Sequence, residues 1–152
     1  MSPLHESVII ALVEDDPGHA RLIQKNLRRS GVSNPIVLLE DGQKALDYIE
    51  EQKQFLAANG PSKSILMLLD LNLPVYNGHQ VLEKMKSDDI LRRIPVIVLT
   101  TTDESQEIEA CFELGCNIYI VKPVNYSDFI DAIQKLGLLM SVAKWPNRGV
   151  KV

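Results

Sequence analysis

The segment ILMLLDLNLP at residues 65–74 decides the fold of this chain. Five apolar residues lead directly to a single carboxylate, Asp70, and a turn follows at once. A continuous apolar run of this length, bounded by turn residues, is typical of a strand buried on both faces of a parallel sheet. Because a charge is costly inside such a sheet, Asp70 is predicted to lie at its carboxyl edge, where open α/β folds bind ligands.

Four further apolar segments alternate with segments of helical spacing. Strands are predicted at residues 8–13, 36–39, 94–99 and 118–121. The inward residues of the intervening helices are predicted to be Ala20, Ile23 and Leu27; Ala45, Leu46 and Ile49; Val81, Leu82 and Met85; Ile108, Cys111 and Phe112; and Phe129, Ile130, Ile133, Leu136 and Met140. Asp16 is the expected N-cap of the first helix, and residues 55–64 are predicted to be a surface excursion. The alternation predicts an α/β fold with a five-stranded parallel sheet and helices on both faces.

Length and charge limit the class of protein. The chain has 152 residues, enough for one domain, and its net charge of −4 gives no general attraction to nucleic acid or to an anionic membrane. No apolar run is long enough to span a bilayer, and the first residues do not resemble a signal peptide. Cys111 and Cys116 are predicted to be buried reduced thiols, since zinc would need more ligands nearby. A cytoplasmic protein is expected, with no nucleic acid or membrane partner.

Polar side chains follow four of the five predicted strands. In strand order they are Glu14, Asp15 and Asp16; Asp70; Thr100; and Lys122. Clustered carboxylates repel one another unless a cation joins them, and oxygen ligands of this kind suit Mg²⁺. Taken singly, these residues could be helix caps, a polar strand end and a loop charge. Their joint placement favours a phosphoryl-transfer site with a carboxylate nucleophile, a metal, a cation and a hydroxyl donor.

The segments that carry these residues resemble the receiver domain of two-component response regulators. The similarity lies in VED at residues 13–15, LLDLNLP at 68–74, VLTT at 98–101 and VKP at 121–123. It extends from about residue 8 to residue 140. The resemblance implies a flavodoxin-like, doubly wound (βα)5 sandwich of three layers with strand order 2-1-3-4-5. It also implies a single receiver domain over residues 1–152, with its core at about 8–142 and a short tail at 143–152.

The resemblance assigns functional roles residue by residue. Asp70 would accept a phosphoryl group from a sensor histidine kinase, and Thr100 and Lys122 would bind the phosphoryl oxygens. Tyr119 would be an aromatic switch that turns inward when Thr100 moves toward the phosphoryl group. A protein of this kind is a signalling switch that catalyses only its own phosphorylation and dephosphorylation, and it is not otherwise an enzyme.

The same resemblance implies a Mg²⁺ or Mn²⁺ site. Asp15, Asp70 and the backbone carbonyl of Asn72 would ligate the metal directly, and Glu14 would act through metal-bound water. The third acid of the first loop, Asp16, leaves the division of metal contacts within that loop open.

A narrower group is also similar, namely single-domain response regulators partnered with phytochrome-type sensor kinases. Its features here are the excursion at 55–64, the LNLP turn, the LTT run and a tail that contains Trp145-Pro146. The segment after residue 143 is too short for an output domain, so the signal is expected to leave through the receiver's own surface. Residues 136–143 are apolar nearly all round, which favours a homodimer through the last helix and the face from strand four to helix five. A helix end that folds back on its own domain is the alternative.

Two other functions fit part of the pattern. An aspartyl-phosphate hydrolase of the haloacid-dehalogenase type also places an Asp after a buried strand, but it needs a second Asp two residues later, where this chain has Asn72. A flavodoxin-like module that binds flavin mononucleotide needs a first loop that cradles phosphate, whereas Glu14, Asp15 and Asp16 would repel it. Turnover of phosphomonoesters would favour the first alternative, and a yellow protein the second.

Overall fold

The structure is a computed structural model that describes residues 8–58, 64–101 and 104–122, together with residues 127, 131 and 134. Strands and helices alternate regularly along that part of the chain. They are β1 (Val8–Val13), α1 (Pro17–Arg29), β2 (Ile36–Leu39), α2 (Gly42–Ala58), β3 (Ser64–Leu69), α3 (Gly78–Lys86), β4 (Val96–Thr100), α4 (Ser105–Glu113) and β5 (Ile118–Val121). A short 3-10 helix, Leu91–Arg93, precedes β4. Residues 127, 131 and 134 are helical, and the rest of the predicted last helix lies outside the described residues.

The five strands form one parallel sheet in the order β2-β1-β3-β4-β5, which confirms the predicted topology. In the register of the two central strands, Val13 lies opposite Leu69. The residues that follow these strands therefore emerge side by side at one edge. On the other side of β3, Thr100 at the end of β4 pairs with Val121 at the end of β5. This register brings the carboxyl ends of four strands to the same edge, as expected for a doubly wound sheet.

Apolar side chains cover both faces of the sheet, as the continuous apolar strands predict. On one face, alternate residues of β1, β3 and β4 pack with α1 in a cluster that contains Ile10, Leu12, Ala20, Ile23, Leu27, Leu66, Leu68, Ile97 and Leu99. On the other face, the remaining strand residues pack with α2, α3 and α4 in a cluster that contains Val13, Ala45, Ile49, Met67, Leu69, Val81, Leu82, Met85 and Cys111. These buried layers hold the sheet edge in a fixed position.

Helix α1 begins as its sequence predicts. The Asp16 side chain accepts a hydrogen bond from the His19 backbone N–H at 3.0 Å, and Pro17 occupies the first helical position. Such a cap satisfies an amide that would otherwise lack a partner in the first turn. The helix ends at Arg29, and Gly31 follows with φ of +94°, a conformation that favours glycine. Helix α1 therefore starts directly at the edge where the acidic residues emerge.

Two predicted element boundaries were wrong by two or more residues. Helix α2 continues to Ala58, so the beginning of the predicted excursion at 55–64 is helical, while residues 59–63 lie outside the described residues. Strand β4 begins at Val96 and not at residue 94, because the 3-10 helix turns the chain just before it. Pro95 has no amide hydrogen to donate to the ladder, and its carbonyl contributes by accepting a hydrogen bond from the Met67 N–H at 3.0 Å.

Helix α4 differs from its predicted orientation at one residue. Cys111 is fully buried, whereas Phe112, which was predicted to face inward, is 49% exposed. Cys111 and Cys116 are buried free thiols, as predicted, and burial raises the pKa of the Cys111 thiol to about 11. None of the helices in the described part of the chain combines the length and apolar composition that a bilayer crossing requires.

Candidate functional site

The site begins where the two central strands end. The backbone N–H of Asp70 donates to the carbonyl of Val13 at 3.1 Å, and the N–H of Glu14 donates to the carbonyl of Leu39 at 3.0 Å. These bonds continue the sheet by one residue on each strand. The Glu14 and Asp70 side chains are consequently buried, with 2% and 6% of the residue exposed. Two carboxylates are thus brought into the protein interior, where a charge needs a partner.

Three carboxylates converge at this edge. One side-chain oxygen each of Glu14, Asp15 and Asp70 lies within 4.8 Å of the others, and Asp15 is exposed while the other two are buried. Oxygen ligands grouped in this way, with one side open to solvent, suit a hard divalent cation. Asp16 is not part of this group, because its carboxylate caps α1. Of the four acids that follow β1 and β3, three are therefore grouped, and Asp16 is the predicted N-cap.

Lys122 supplies the positive charge among these acids. Its Nζ lies 3.0 Å from Asp70 Oδ2 and forms a second buried ion pair with Glu14 Oε1. The Lys122 backbone N–H donates to the carbonyl of Thr100 at 2.6 Å, which fixes the chain as it leaves β5. Burial nevertheless raises the pKa of Glu14 to about 7. The hydrogen bond from Lys122 lowers this pKa, whereas the negative charge of Asp70 raises it further. One cation does not fully compensate two buried carboxylates.

The loop after β3 is fixed against the phosphoacceptor candidate. The Asn72 N–H donates to Asp70 Oδ1 at 3.0 Å, and the Gly78 N–H donates to the carbonyl of Leu71 at 2.9 Å. A Cβ on Gly78 would come within 2.6 Å of the Asp70 carbonyl oxygen, so only glycine allows this approach. Asn77 begins α3 with a capping box that includes Gln80. The role of Gly78 was missed from the sequence, although the Asn-Gly pair marks a tight turn there.

Thr100 lies at the end of β4 and is completely buried. Within the described ranges, its Oγ1 has no hydrogen-bond partner. A buried hydroxyl without a protein partner is costly, so Thr100 Oγ1 would gain from a ligand atom or water that forms a hydrogen bond with it. Tyr119 lies on β5 opposite Val98, is half-buried, and packs against the cluster formed with α2, α3 and α4.

His19 is a residue of this edge that the sequence reasoning did not include. Its Nδ1 lies 3.4 Å from Lys122 Nζ and 4.0 Å from Asp16 Oδ2. The signal was present in the sequence, because a helix that starts immediately after an acidic strand end places its first turn beside the site. Asn72 is also at the edge, and its side-chain amide donates to Thr101 Oγ1 at 3.4 Å.

Comparison with known proteins identifies close relatives. The sequence model of the response regulator receiver domain matches residues 10–134. Response regulator Rcp1 from Synechocystis is 37% identical over 126 residues, which cover 83% of this chain and 84% of that protein. The crystal structure of a response regulator receiver domain from Rhodospirillum rubrum is similar with a TM-score of 0.84 at 46% identity, and covers 92% of this chain and 98% of its own.

Two further solved structures are similar in the same way. The Mn²⁺-bound form of Rcp1 has a TM-score of 0.78 at 33% identity and covers 91% of this chain and 98% of its own. The phosphorylated cyanobacterial phytochrome response regulator RcpA has a TM-score of 0.78 at 37% identity and covers 91% of this chain and 97% of its own. The strand order, the group of acids at the sheet edge and these similar proteins all indicate the same protein family.

Proposed function

The chain belongs to the response regulator receiver family of two-component signalling, and on this premise we propose that Asp70 is the residue on which it is phosphorylated. The observation that carries the proposal is the grouping of Asp70 with the carboxylates of Glu14 and Asp15 and with the ammonium of Lys122. We also propose that residues 1–152 form a single receiver domain. As a response regulator, the protein acts as a phosphoacceptor in signal transduction.

A divalent cation fits the acidic group, and we propose Mg²⁺. Asp15, Asp70 and the Asn72 backbone carbonyl would hold it. Glu14 would act through water, because one of its carboxylate oxygens is paired with Lys122 and the other accepts from the Asp16 N–H at 3.2 Å. The bound cation would neutralise charge on the acids and on an incoming phosphoryl group. The Mn²⁺-bound structure of Rcp1 is consistent with a divalent ion in a relative.

The proposed reaction is a phosphoryl transfer between two side chains. A carboxylate oxygen of Asp70 forms a bond to the phosphorus of a kinase phosphohistidine, the phosphorus–nitrogen bond breaks, and the imidazole leaves with the bonding pair. Lys122 is within reach of the reacting carboxylate and would bind a phosphoryl oxygen. Since such transfers depend mainly on positioning and on charge neutralisation, the buried ammonium and the fixed loop under Asp70 are the protein's main contributions.

The signal would leave through Thr100 and Tyr119. The buried Thr100 hydroxyl would gain a phosphoryl oxygen as its hydrogen-bond partner, and the movement would draw the β4 end toward Asp70. Tyr119, which is only half-buried on β5, would turn inward as that end moves. The coupling between site and surface in such switches is typically about 1–3 kcal/mol.

We propose a phytochrome-type sensor histidine kinase as the partner, because RcpA is a phytochrome response regulator. We also propose a homodimer through the last helix and the face from β4 to that helix. Phe112 on α4 and Val121 on β5 are exposed apolar residues, 49% and 37% exposed, and a homodimer that includes α4 and β5 would cover them. The proposed location is the cytoplasm. Sedimentation at micromolar concentration tests the dimer, and a monomer both with and without phosphorylation would reject it.

Phosphorylation is tested with a small acyl-phosphate donor such as acetyl phosphate. The purified protein is incubated with the donor and Mg²⁺, and its intact mass is measured. We expect the mass of one phosphoryl group to be added in wild type, and not in Asp70→Asn or in the presence of a chelator. Asp47→Asn, an exposed acid on α2, is the matched control and should be labelled like wild type. Equal labelling of Asp70→Asn and wild type would reject the proposal.

A further inference from the structure

His19 is held beside the proposed phosphorylation site by the start of α1. Its backbone N–H donates to the Asp16 carboxylate at 3.0 Å, so the N-cap fixes the first turn of the helix. Its ring nitrogen Nδ1 lies 3.4 Å from Lys122 Nζ. About two fifths of the His19 side chain is exposed, at 43%, so the ring lies between the buried ammonium and solvent.

The chemistry of Lys122 determines the state of this contact. A lysine ammonium has three N–H donors and no acceptor. The acceptor atoms around Nζ include Glu14 Oε1, Asp70 Oδ2 and His19 Nδ1. The contact with His19 is favourable only when Nδ1 carries its lone pair, which places the ring proton on Nε2. The alternative is a protonated His19 that pairs with Asp16 Oδ2 at 4.0 Å. This contact is longer than the one with Lys122, and the imidazolium would repel the Lys122 ammonium.

We propose that His19 is a positioning residue for phosphorylation, which holds the Lys122 ammonium toward Asp70. The inference rests on the proposed function. Phosphorylation would replace the contact of Lys122 with Asp70 by a contact with a phosphoryl oxygen, and a bound cation would compete for Glu14. His19 belongs to neither group, so its contact with Nζ would persist through the reaction. The acceptor on His19 keeps the ammonium from turning away while its other partners change.

Two variants separate the hydrogen bond from the bulk of the ring. His19→Leu fills similar space without an acceptor, and His19→Asn places a side-chain oxygen near the position of Nδ1. We expect His19→Leu to slow labelling of Asp70 by acetyl phosphate about three- to tenfold, the effect of one hydrogen bond to a charged group. His19→Asn should recover most of the wild-type rate. Both variants should have melting temperatures close to that of wild type, because the His19 side chain is 43% exposed and is not a member of the two apolar clusters found in the described part of the chain.

The outcomes distinguish this inference from the proposed function. Failure to label Asp70 in wild type would reject the proposed function itself. Normal labelling of Asp70 in wild type together with a wild-type rate in His19→Leu would overturn the role of His19 alone. An equal slowing in His19→Asn and His19→Leu would also overturn it, because the acceptor would then be irrelevant.

Discussion

The ammonium nitrogen of Lys122 lies 3.0 Å from a carboxylate oxygen of Asp70, and both side chains are almost entirely buried, at 3% and 7% exposed. Glu14 forms a second buried ion pair with the same ammonium. A single cation therefore stands between two acids, and a third acid, Asp15, lies within reach of both. This arrangement is short of positive charge, and the predictions below follow from that shortage.

Divalent cations should stabilise the fold, and Asp15→Asn should reverse part of that effect. Without metal, the substitution removes a charge that repels Glu14 and Asp70, so we expect unchanged or slightly higher stability. With Mg²⁺, the free energy of unfolding of wild type should rise by about 1.4 kcal/mol for each tenfold increase of the Mg²⁺ concentration above the dissociation constant. The rise should be smaller for the variant. Urea unfolding with chelator and with Mg²⁺ measures both. Glu40→Gln, an exposed acid that follows β2, should respond to Mg²⁺ as wild type does, and loss of the response in that control would contradict the assigned site.

Gly78→Ala should damage the site through the backbone. Its Cβ would lie 2.5 Å from Leu71 Cα and 2.6 Å from the Asp70 carbonyl oxygen, so the loop must move. We expect a loss of roughly 1–3 kcal/mol in free energy of unfolding and slower phosphorylation. Gly18→Ala is the control, because its nearest neighbour is the side-chain atom Asp16 Oδ1 at 3.2 Å. Denaturant unfolding and labelling rates measure both variants, and equal behaviour of the two would count against the tight approach of Gly78.

Thr100→Val should separate stability from signalling. The substitution removes a buried hydroxyl that has no partner among the described residues, so the unphosphorylated protein should be as stable as wild type or up to about 1 kcal/mol more stable. The same variant should lose the phosphorylation-dependent change around Tyr119, which tyrosine fluorescence or NMR can follow. Thr100→Ser keeps the hydroxyl and should retain the change. A marked destabilisation by Thr100→Val would mean that the hydroxyl already has a partner.

The pair of Asp88 and Lys53 should give the stability a pH dependence at the acid end. The side-chain hydrogen bond from Lys53, with backbone amides of Ile90 and Leu91, lowers the pKa of Asp88 to about 2 from 3.8. Because the folded-state pKa is the lower one, the stabilisation is complete above about pH 4 and is lost as the pH falls toward 2. Asp88→Asn should therefore be less stable than wild type near neutral pH, by roughly 1 kcal/mol for this partly exposed pair.

The difference between wild type and Asp88→Asn should shrink as the pH falls below about 4, and urea unfolding at several pH values measures it. Asp89→Asn is the control, since Asp89 is 90% exposed and pairs only loosely with Arg92 at 3.7 Å. We expect a change within about 0.5 kcal/mol for that variant. A difference for Asp88→Asn that stays constant down to the acid end would show that the pair does not titrate as described.

The sheet could be predicted from the sequence because its strands are apolar on both faces and end in polar residues. That pattern alone predicts that β1 ends at Val13 and β3 at Leu69, so that Glu14 and Asp70 are the first residues beyond these strands. The start of β4 could not be predicted, because the 3-10 helix at residues 91–93 is too short to produce a periodic pattern in the sequence. Phe112 was misplaced because helical spacing alone did not distinguish it from its buried neighbour Cys111.

The sequence predicts which residues form the site better than it predicts the contacts between them. Topology brings strand ends together, so Asp70, Thr100 and Lys122 could be grouped before any coordinates were known. The Asp16 cap of α1 could be predicted as well. The approach of His19 to Lys122 from the first turn of that helix could not, because it depends on a distance that a sequence does not contain.

The most direct test of the central claim is the identity of the phosphorylated residue. Protein labelled with acetyl phosphate and Mg²⁺ is reduced with borohydride, which converts an aspartyl phosphate to homoserine, and its peptides are mapped by mass spectrometry. We predict homoserine at position 70 and an unmodified residue at every other aspartate and glutamate. Conversion at Asp15 or at any other acid, with Asp70 intact, would contradict the account.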